Sequence, residues 1–493
     1  MSIKFPFKRI LLVPLRCTAM ILPKPILYLS AILSIQVLTA NDVTSWRNGG
    51  NGLYPQANPA TNWNDPNAIL WEVETIDWAN AAPLIIGNRL LYTVEPTTLI
   101  CLDAATGQQL WEASNSYEDV ANLSPEAQAR LIRAKRQKEM LEIELKPLRE
   151  ELYKVNRRYQ RDKDNAALRD QVRAVRKEIA TLEAKADPIL KRFELPKSHA
   201  TNGYASFTPC SDGEYIYNCN GLGIVTKHDL DGNRIWSKVM EKPDHNWGGS
   251  VSPQLIGGKL IVRFSDYTAL DPETGRELWR VENPINFGTP SAFQVEGKSF
   301  LYTGRGELIR VADGKKLPSQ DWVIPEKKFA FFNTNFVSAN RVYAVHGAKG
   351  LQGDLYCMEI PETMAELEAN GLQKVWHANV SQERYYASPL VHEGLVYIFT
   401  MGQTFQVLEA DAGELVYSHK IPGRMDRTFP GLLLVNDMIY AGEENGTAFF
   451  LKPGREYEEL ARLDVGECRS TPIFKDDVAY LRTMEKVYAF KAR

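Results

Sequence analysis

The sequence predicts an all-β fold: an eight-bladed β-propeller interrupted by an inserted antiparallel α-helical coiled-coil hairpin. Three observations carry this. A strand–turn–strand unit with one consensus shape recurs eight times. A second signature, Asp, then a tight Gly turn, then an aromatic four residues on, follows several of the units. Between the first and second units lie two runs of apolar residues at heptad spacing.

The N-terminus comes first. Lys4, Lys8, Arg9, Arg16 and Lys24 precede an apolar run from Ile26 to Leu38 that ends in Thr39-Ala40. This is the order of a signal peptide over residues 1–40, with translation starting at Met1 or Met20. The apolar run is short for a membrane span, so no transmembrane span is expected after cleavage. The mature chain is then exported to the periplasm or cell envelope, or secreted. It keeps five of the six cysteines, at 101, 210, 219, 357 and 468, so at least one is free or pairs between chains.

The units follow. Ala82-Pro83, Thr208-Pro209, Ser252-Pro253, Thr289-Pro290, Val337-Ser338, Ser388-Pro389, Phe429-Pro430 and Thr471-Pro472 each open an apolar strand. Each strand runs into a turn rich in Gly, Asn and Asp, near 87, 213, 257, 297, 340, 394, 437 and 476, and then into a second β-rich strand. Most turns are about 42 residues apart, the length of one four-stranded blade. The long gap after position 340 predicts a short helix in Pro361–Leu372. The last unit has room for only three strands, and Ile69-Leu70-Trp71-Glu72 supplies the fourth, which closes the ring without a free edge. In the second signature the Asp bonds the turn backbone and Gly supplies positive φ. Trp71, Trp111, Trp236, Trp279 and Trp376 recur at strand positions, so they are blade-packing residues rather than ligand platforms.

Repeats of this form, clearest in Ala269-Leu270-Asp271-Pro272-Glu273-Thr274-Gly275-Arg276-Glu277-Leu278-Trp279, resemble the PQQ-like (BamB-like) β-propeller repeat of exported bacterial proteins. The lead-in Trp46-Arg47-Asn48-Gly49-Gly50-Asn51-Gly52 is similar to the opening of secreted members. The resemblance covers about residues 46–111 and 200–493 and implies an eight-bladed PQQ-like ring. It does not fix function, because that family holds both quinoprotein alcohol dehydrogenases and non-catalytic scaffolds.

The insertion, residues 117–197, separates the propeller start (41–116) from the remaining blades (198–493). Ser124-Pro125-Glu126 reads as an N-cap with Pro at the first helical position. Leu141, Leu145, Leu148, Leu152, Val155 and Tyr159 form one seam. Leu168, Val172, Val175, Ile179, Leu182, Ala186 and Ile189 form the other, with a polar reversal at 160–165. Pro147 should kink or split the first arm. Residues 126–192 hold 19 Lys and Arg against 12 Asp and Glu, a charge of +7. With the basic leader also set aside, the rest of the chain carries −15 although the whole carries only −3. A basic arm stands on an acidic ring, which points to an acidic envelope protein as partner and to Arg157, Arg158, Arg161 and Lys163 at the tip as its contacts. The overall charge offers nothing to nucleic acid.

Catalytic motifs are missing from the chain. It has no HExxH, GxSxG or Walker loop and no CxxC, so neither a catalytic residue nor a metal site is assigned. The resemblance would require, for a quinoprotein, calcium ligands of Glu, Asn and Asp and often a vicinal disulfide. No vicinal cysteines occur and no such ligand set aligns. The expectation is therefore a non-enzymatic scaffold for protein interactions, without cofactor. The alternative is a PQQ-dependent oxidoreductase with PQQ and calcium, and a further one is a glycan- or peptide-binding module. Under that reading the residues preceding each innermost strand line a funnel. These are Trp78, Asn80, Tyr204, Asn246, Trp247, Asn286, Asn333, Asn335, Arg384, Tyr385, Arg427 and Arg469.

Overall fold

The computed structural model describes residues 41–243, 245–283, 287–319, 331–423 and 426–491. The leader 1–40 and the candidate Asn286 lie outside the described residues. The described chain is mostly β, in a propeller-like fold. Its strands form eight antiparallel sheets, numbered here in chain order: sheet 1 (84–114), sheet 2 (210–239), sheet 3 (254–281), sheet 4 (291–317), sheet 5 (336–380), sheet 6 (390–420), sheet 7 (433–464) and sheet 8 (473–491). Ile69–Glu74 completes sheet 8, pairing antiparallel with Lys486–Lys491 in the register Ile69 to Phe490 and Glu72 to Tyr488. Leu53–Tyr54 adds a fifth, parallel strand to sheet 7.

Neighbouring sheets are joined in one repeated way. Trp71, Trp111, Trp236, Trp279 and Trp376 donate their indole N–H to a backbone carbonyl in the turn of the next sheet, at 2.8–3.1 Å: Ala104, Leu230, Pro272, Val311 and Ala410 respectively. The ring of each lies flat against that turn's glycine. A Cβ on Gly232, which sits at φ +87°, would come within 2.7 Å of the Trp111 ring. The Asp, Gly and Trp of the repeat are therefore partners across a boundary, not within one unit.

Three boundaries lack this Trp: between sheets 6 and 7 Tyr417 stands at the bulged position, and other elements fill the remaining two. Sheet 7 has Ala461 at the bulged position that Trp holds elsewhere. Trp63, from the lead-in, takes its place, stacking on Phe490 at 4.9 Å and meeting Phe450 edge-on at 5.6 Å. Between sheets 4 and 5 the gap is covered by a short helix, Met364–Asn370, whose buried Met364 and Leu367 join Phe300, Leu308 and Leu317 in one cluster.

The insertion holds a four-residue capped turn, α1 (Tyr117–Val120), and two long helices, α2 (Pro125–Arg161) and α3 (Ala166–Glu183). Ser124 caps α2 through the N–H of Ala127, and Asn165 caps α3 through that of Leu168. Leu141 and Leu145 of α2 pack on Val175 and Ile179 of α3. One expectation narrows and one changes. Of the two outcomes expected at Pro147, a kink or a split, the split does not occur: α2 is continuous through it. Helix α3 ends at Glu183 rather than near Ile189, because Pro188 cannot continue a helix interior and opens a 3-10 turn, Pro188–Phe193. Tyr117, Val120 and Phe193 pack with Leu222 and Ile224, tying the base of the insertion to sheet 2. All five described cysteines are free and buried.

Candidate functional site

The segment leading into each innermost strand is extended, so side chains alternate in direction with period two. Position 0 is the residue two before the strand. It is Ala82, Thr208, Ser252, Thr289, Thr334, Ser388, Gly431 and Thr471 for sheets 1 to 8. The hydroxyls here form a belt between sheets. Thr208 Oγ1 accepts from Ala82 N–H (2.9 Å), Ser252 Oγ from Thr208 N–H (3.1 Å) and Thr289 Oγ1 from Ser252 N–H (3.0 Å). Ser388 Oγ accepts from Thr334 N–H (3.0 Å) and Thr471 Oγ1 from Gly431 N–H (3.2 Å). Ser470 donates to Ala81 O (3.1 Å), joining sheet 8 to sheet 1. Each accepting hydroxyl keeps its own O–H as a donor.

Above the belt, a cavity of about 840 Å³ opens on the axis. Position −2 supplies its wall. Phe287, Phe332, Tyr386 and Phe429 make an aromatic arc over four successive sheets, with centroid spacings of 5.8, 4.7 and 4.8 Å. Polar groups edge the arc, with the Arg427 guanidinium over the Phe429 ring at 5.3 Å, and continue round to sheet 8. Arg469 and Arg427 both engage the buried carboxylate of Glu444, Arg469 at 2.5 Å. They also reach Thr201, Arg469 donating to its carbonyl at 3.1 Å and Arg427 to its hydroxyl at 3.3 Å. Arg384 is exposed, has only the Tyr386 hydroxyl at 3.4 Å, and makes no ion pair among the described residues.

The floor is the lead-in. Val43 bridges Ile85 of sheet 1, and Thr44 O accepts from Ser211 of sheet 2 at 2.8 Å. Trp46 Nε1 donates to Thr334 beside sheet 5 at 3.2 Å and lines the cavity. Arg47 donates to Pro389 O beside sheet 6 at 3.4 Å, and Gly52 O accepts from Leu434 of sheet 7 at 2.9 Å. The segment thus crosses the axis. Arg47 is buried, and loss of solvent pulls its guanidinium down to about 10.

Of the residues singled out from sequence, Asn80, Trp247, Arg384, Arg427 and Arg469 line the cavity. Trp247 stacks on His199 at 4.1 Å, and Asn80 donates to Thr201 O and Ser206 Oγ, both at 2.8 Å. Trp78 lies outside the lining, under the Arg469 guanidinium at 5.5 Å. Tyr204 donates to Pro196 O at 2.7 Å at the base of the insertion, and Asn246 is exposed outside the lining. Tyr385, Asn333 and Asn335 stand at odd positions, so they turn into the sheets. Tyr385 donates to Ser381 O at 2.9 Å, Asn333 to Tyr385 O at 2.9 Å and Asn335 to Thr303 O at 2.9 Å. Arg157, Arg158, Arg161 and Lys163 are exposed at the helical reversal.

Sequence reasoning missed the aromatic arc. Its signal is the fixed offset of two residues before position 0, hidden because sheets 5 and 7 carry Thr334-Asn335 and Gly431-Leu432 in place of the Ser/Thr-Pro pair. It also missed Glu95, whose Oε1 accepts from the N–H of Tyr204 (2.7 Å) and Ala205 (2.6 Å). Burial raises its carboxyl to about 7, against those two bonds, which lower it.

The cavity's donors do not fit a calcium-bound quinone. Glu444 is already held between two guanidinium groups that repel a cation, and Asp426 accepts from the N–H of Arg427. Among the described residues no group of three or more His, Cys, Asp and Glu side chains is placed to hold a metal ion.

No protein-family model and no curated protein sequence matches the chain. Solved structures do. BamB from Moraxella catarrhalis aligns over 86% of this chain and 97% of its own, with a TM-score of 0.54 and 9% identity. Quinohemoprotein alcohol dehydrogenase from Comamonas testosteroni aligns over 92% of this chain and 81% of its own, with a TM-score of 0.52 and 10% identity. These likenesses show the fold, that of the PQQ-like β-propellers.

Proposed function

We propose that the protein is an exported, non-enzymatic scaffold for protein interactions in the cell envelope. In this reading the eight sheets are eight blades of one ring, and α2 with α3 form a coiled-coil contact arm. One observation carries the proposal: the arm's apolar seam is satisfied within the arm. The four seam residues Leu141, Leu145, Val175 and Ile179 are buried against each other. The outer face is left charged and also exposes Ile132, Met140, Ile143 and Tyr153, more apolar surface than a mere spacer needs. At the base the arm is pinned by Arg130–Asp187 (2.7 Å) and Lys135–Glu118 (2.6 Å). The envelope location is supported by the leader's charge pattern and by the fold shared with BamB. No helix among the described residues is long and apolar enough to cross a membrane.

The test reverses the tip. The variant with Arg157, Arg158, Arg161 and Lys163 all changed to Glu should lose its partners in pull-downs from envelope extract at low salt, with an unchanged melting temperature. Capture of the same proteins by both forms at low and high salt would overturn the arm's role. Dye-linked oxidation of alcohols or sugars that depends on added PQQ and calcium would overturn the non-enzymatic reading and favour the oxidoreductase.

A further inference from the structure

We infer that the axial cavity binds an anionic saccharide, with sugar faces on the aromatic arc and the acid group on the guanidinium edge. The cavity combines an aromatic arc with guanidinium groups set along its edge. Phe287, Phe332, Tyr386 and Phe429 form a continuous π surface over four successive sheets. A pyranose presents a flat C–H face to such a surface and carries its hydroxyls and acid group at the rim, so it matches an arc edged by guanidinium groups, Arg427 over Phe429 at 5.3 Å and Arg384 on the Tyr386 hydroxyl at 3.4 Å.

The polar side is biased toward donors. Belt hydroxyls such as Thr208, Ser252, Thr289 and Ser388 have one lone pair committed to a neighbouring sheet's N–H, and their protons are still to be given. Three guanidinium groups line the cavity against one lining carboxylate, Asp426. Behind that lining, Glu444 is shared by Arg427 and Arg469, and Glu467 also pairs with Arg469 at 3.4 Å, whereas Arg384 has no acidic partner among the described residues. A donor-rich wall with one guanidinium left without a carboxylate calls for a ligand rich in acceptors that brings an acid group to Arg384. A volume of about 840 Å³, blind at the floor where Trp46 crosses, suits an oligosaccharide of a few units rather than one ring.

The site does not depend on the arm, so reversing the charges at the arm's tip should leave saccharide binding unchanged. That separates failure of this inference from failure of the scaffold proposal. The experiment is calorimetric titration of the mature chain with tetragalacturonate, its methyl ester, a sulfated chondroitin tetrasaccharide, a neutral galactose tetramer and an aromatic peptide with a free C-terminus. At least one of the two acidic sugars should bind, and which of them does identifies the anionic group. The ester and the neutral tetramer should bind at least about tenfold more weakly, and added salt should weaken the acidic sugar. Arg384→Ala should cost about tenfold in affinity at constant melting temperature. Binding should quench tryptophan emission in the native chain and less in Trp247→Phe. Equal binding of neutral and acidic sugars, stronger binding of the peptide, no binding of either acidic sugar, or an unaltered affinity in Arg384→Ala would each overturn the assignment.

Discussion

Trp111 and Gly232 touch across the boundary between sheets 1 and 2, and a double-mutant cycle measures what the repeated signature is for. Gly232→Ala forces a side chain into φ +87° and puts its Cβ 2.7 Å from the indole. The backbone cost is about 1–2 kcal/mol, and the collision adds about 1–3 kcal/mol of overpacking. Trp111→Ala costs about 3–5 kcal/mol, part of it from leaving Leu230 O without the 2.9 Å indole bond. In the double mutant the indole is gone and the collision with it, so only the backbone cost of the added Cβ remains. The two changes should therefore be less than additive by about 1–3 kcal/mol. Urea unfolding of the mature chain, followed by far-UV circular dichroism, gives the three differences. Additivity within about 0.5 kcal/mol would refute the idea that the glycine is there to admit the tryptophan.

Other outcomes follow from the same structure. Burial raises the Glu95 carboxyl to about 7, so the folded chain holds that proton more tightly than the unfolded one. Its contribution to stability is full below the ordinary carboxylate range and fades as pH rises toward 7, and Glu95→Gln should flatten that slope in melting curves between about pH 4.5 and 7. An unchanged slope would assign the pH dependence elsewhere. Trp63→Ala empties the boundary between sheets 7 and 8 and should cost about 3–5 kcal/mol in denaturant unfolding; a neutral result would mean that Ala461 needs no substitute. Replacing 141–181 by a short Gly/Ser bridge should leave ring melting unchanged, because the base contacts of Tyr117, Val120 and Phe193 stay in place. A fall in melting temperature would show that the distal arm supports the ring.

Much of the fold was legible because its signals are local. A turn that needs positive φ shows Gly, Asn or Asp, and a strand pair shows apolar runs either side of it. The closing strand could be inferred by counting strands in the last unit. What stayed hidden depends on neighbours far away in sequence. Trp63 reads as one more loop aromatic until Ala461, 398 residues later, is seen to leave a gap. At the candidate site the arginines were found by their place before the innermost strands of the repeat. The aromatic arc was not, because a phenylalanine before a strand looks like core. The difference between Tyr385, turned inward to Ser381 O, and Tyr386, lining the cavity, is a single step of strand parity. No composition rule distinguishes them, and only the position of the following strand does.

Sheet 8 joins the two ends of the described chain. Lys486 pairs with Glu72 across 414 residues, while Asn41 and Lys491 both reach the same turn, at Asp476 and Asp477. During synthesis sheets 1 to 6, and the four antiparallel strands of sheet 7, can each form from contiguous chain. The eighth cannot, since its outer strand emerges first and its partner last. Until then Ile69–Glu74 is an unpaired edge, open to pairing with another chain, and its pairs with the last strand, such as Lys486 with Glu72 at a separation of 414 residues, are slow to form because they are so non-local. A circular permutation that joins the ends beside sheet 8 and opens the chain at the helical reversal would make the strands of sheet 8 contiguous and cut no described strand.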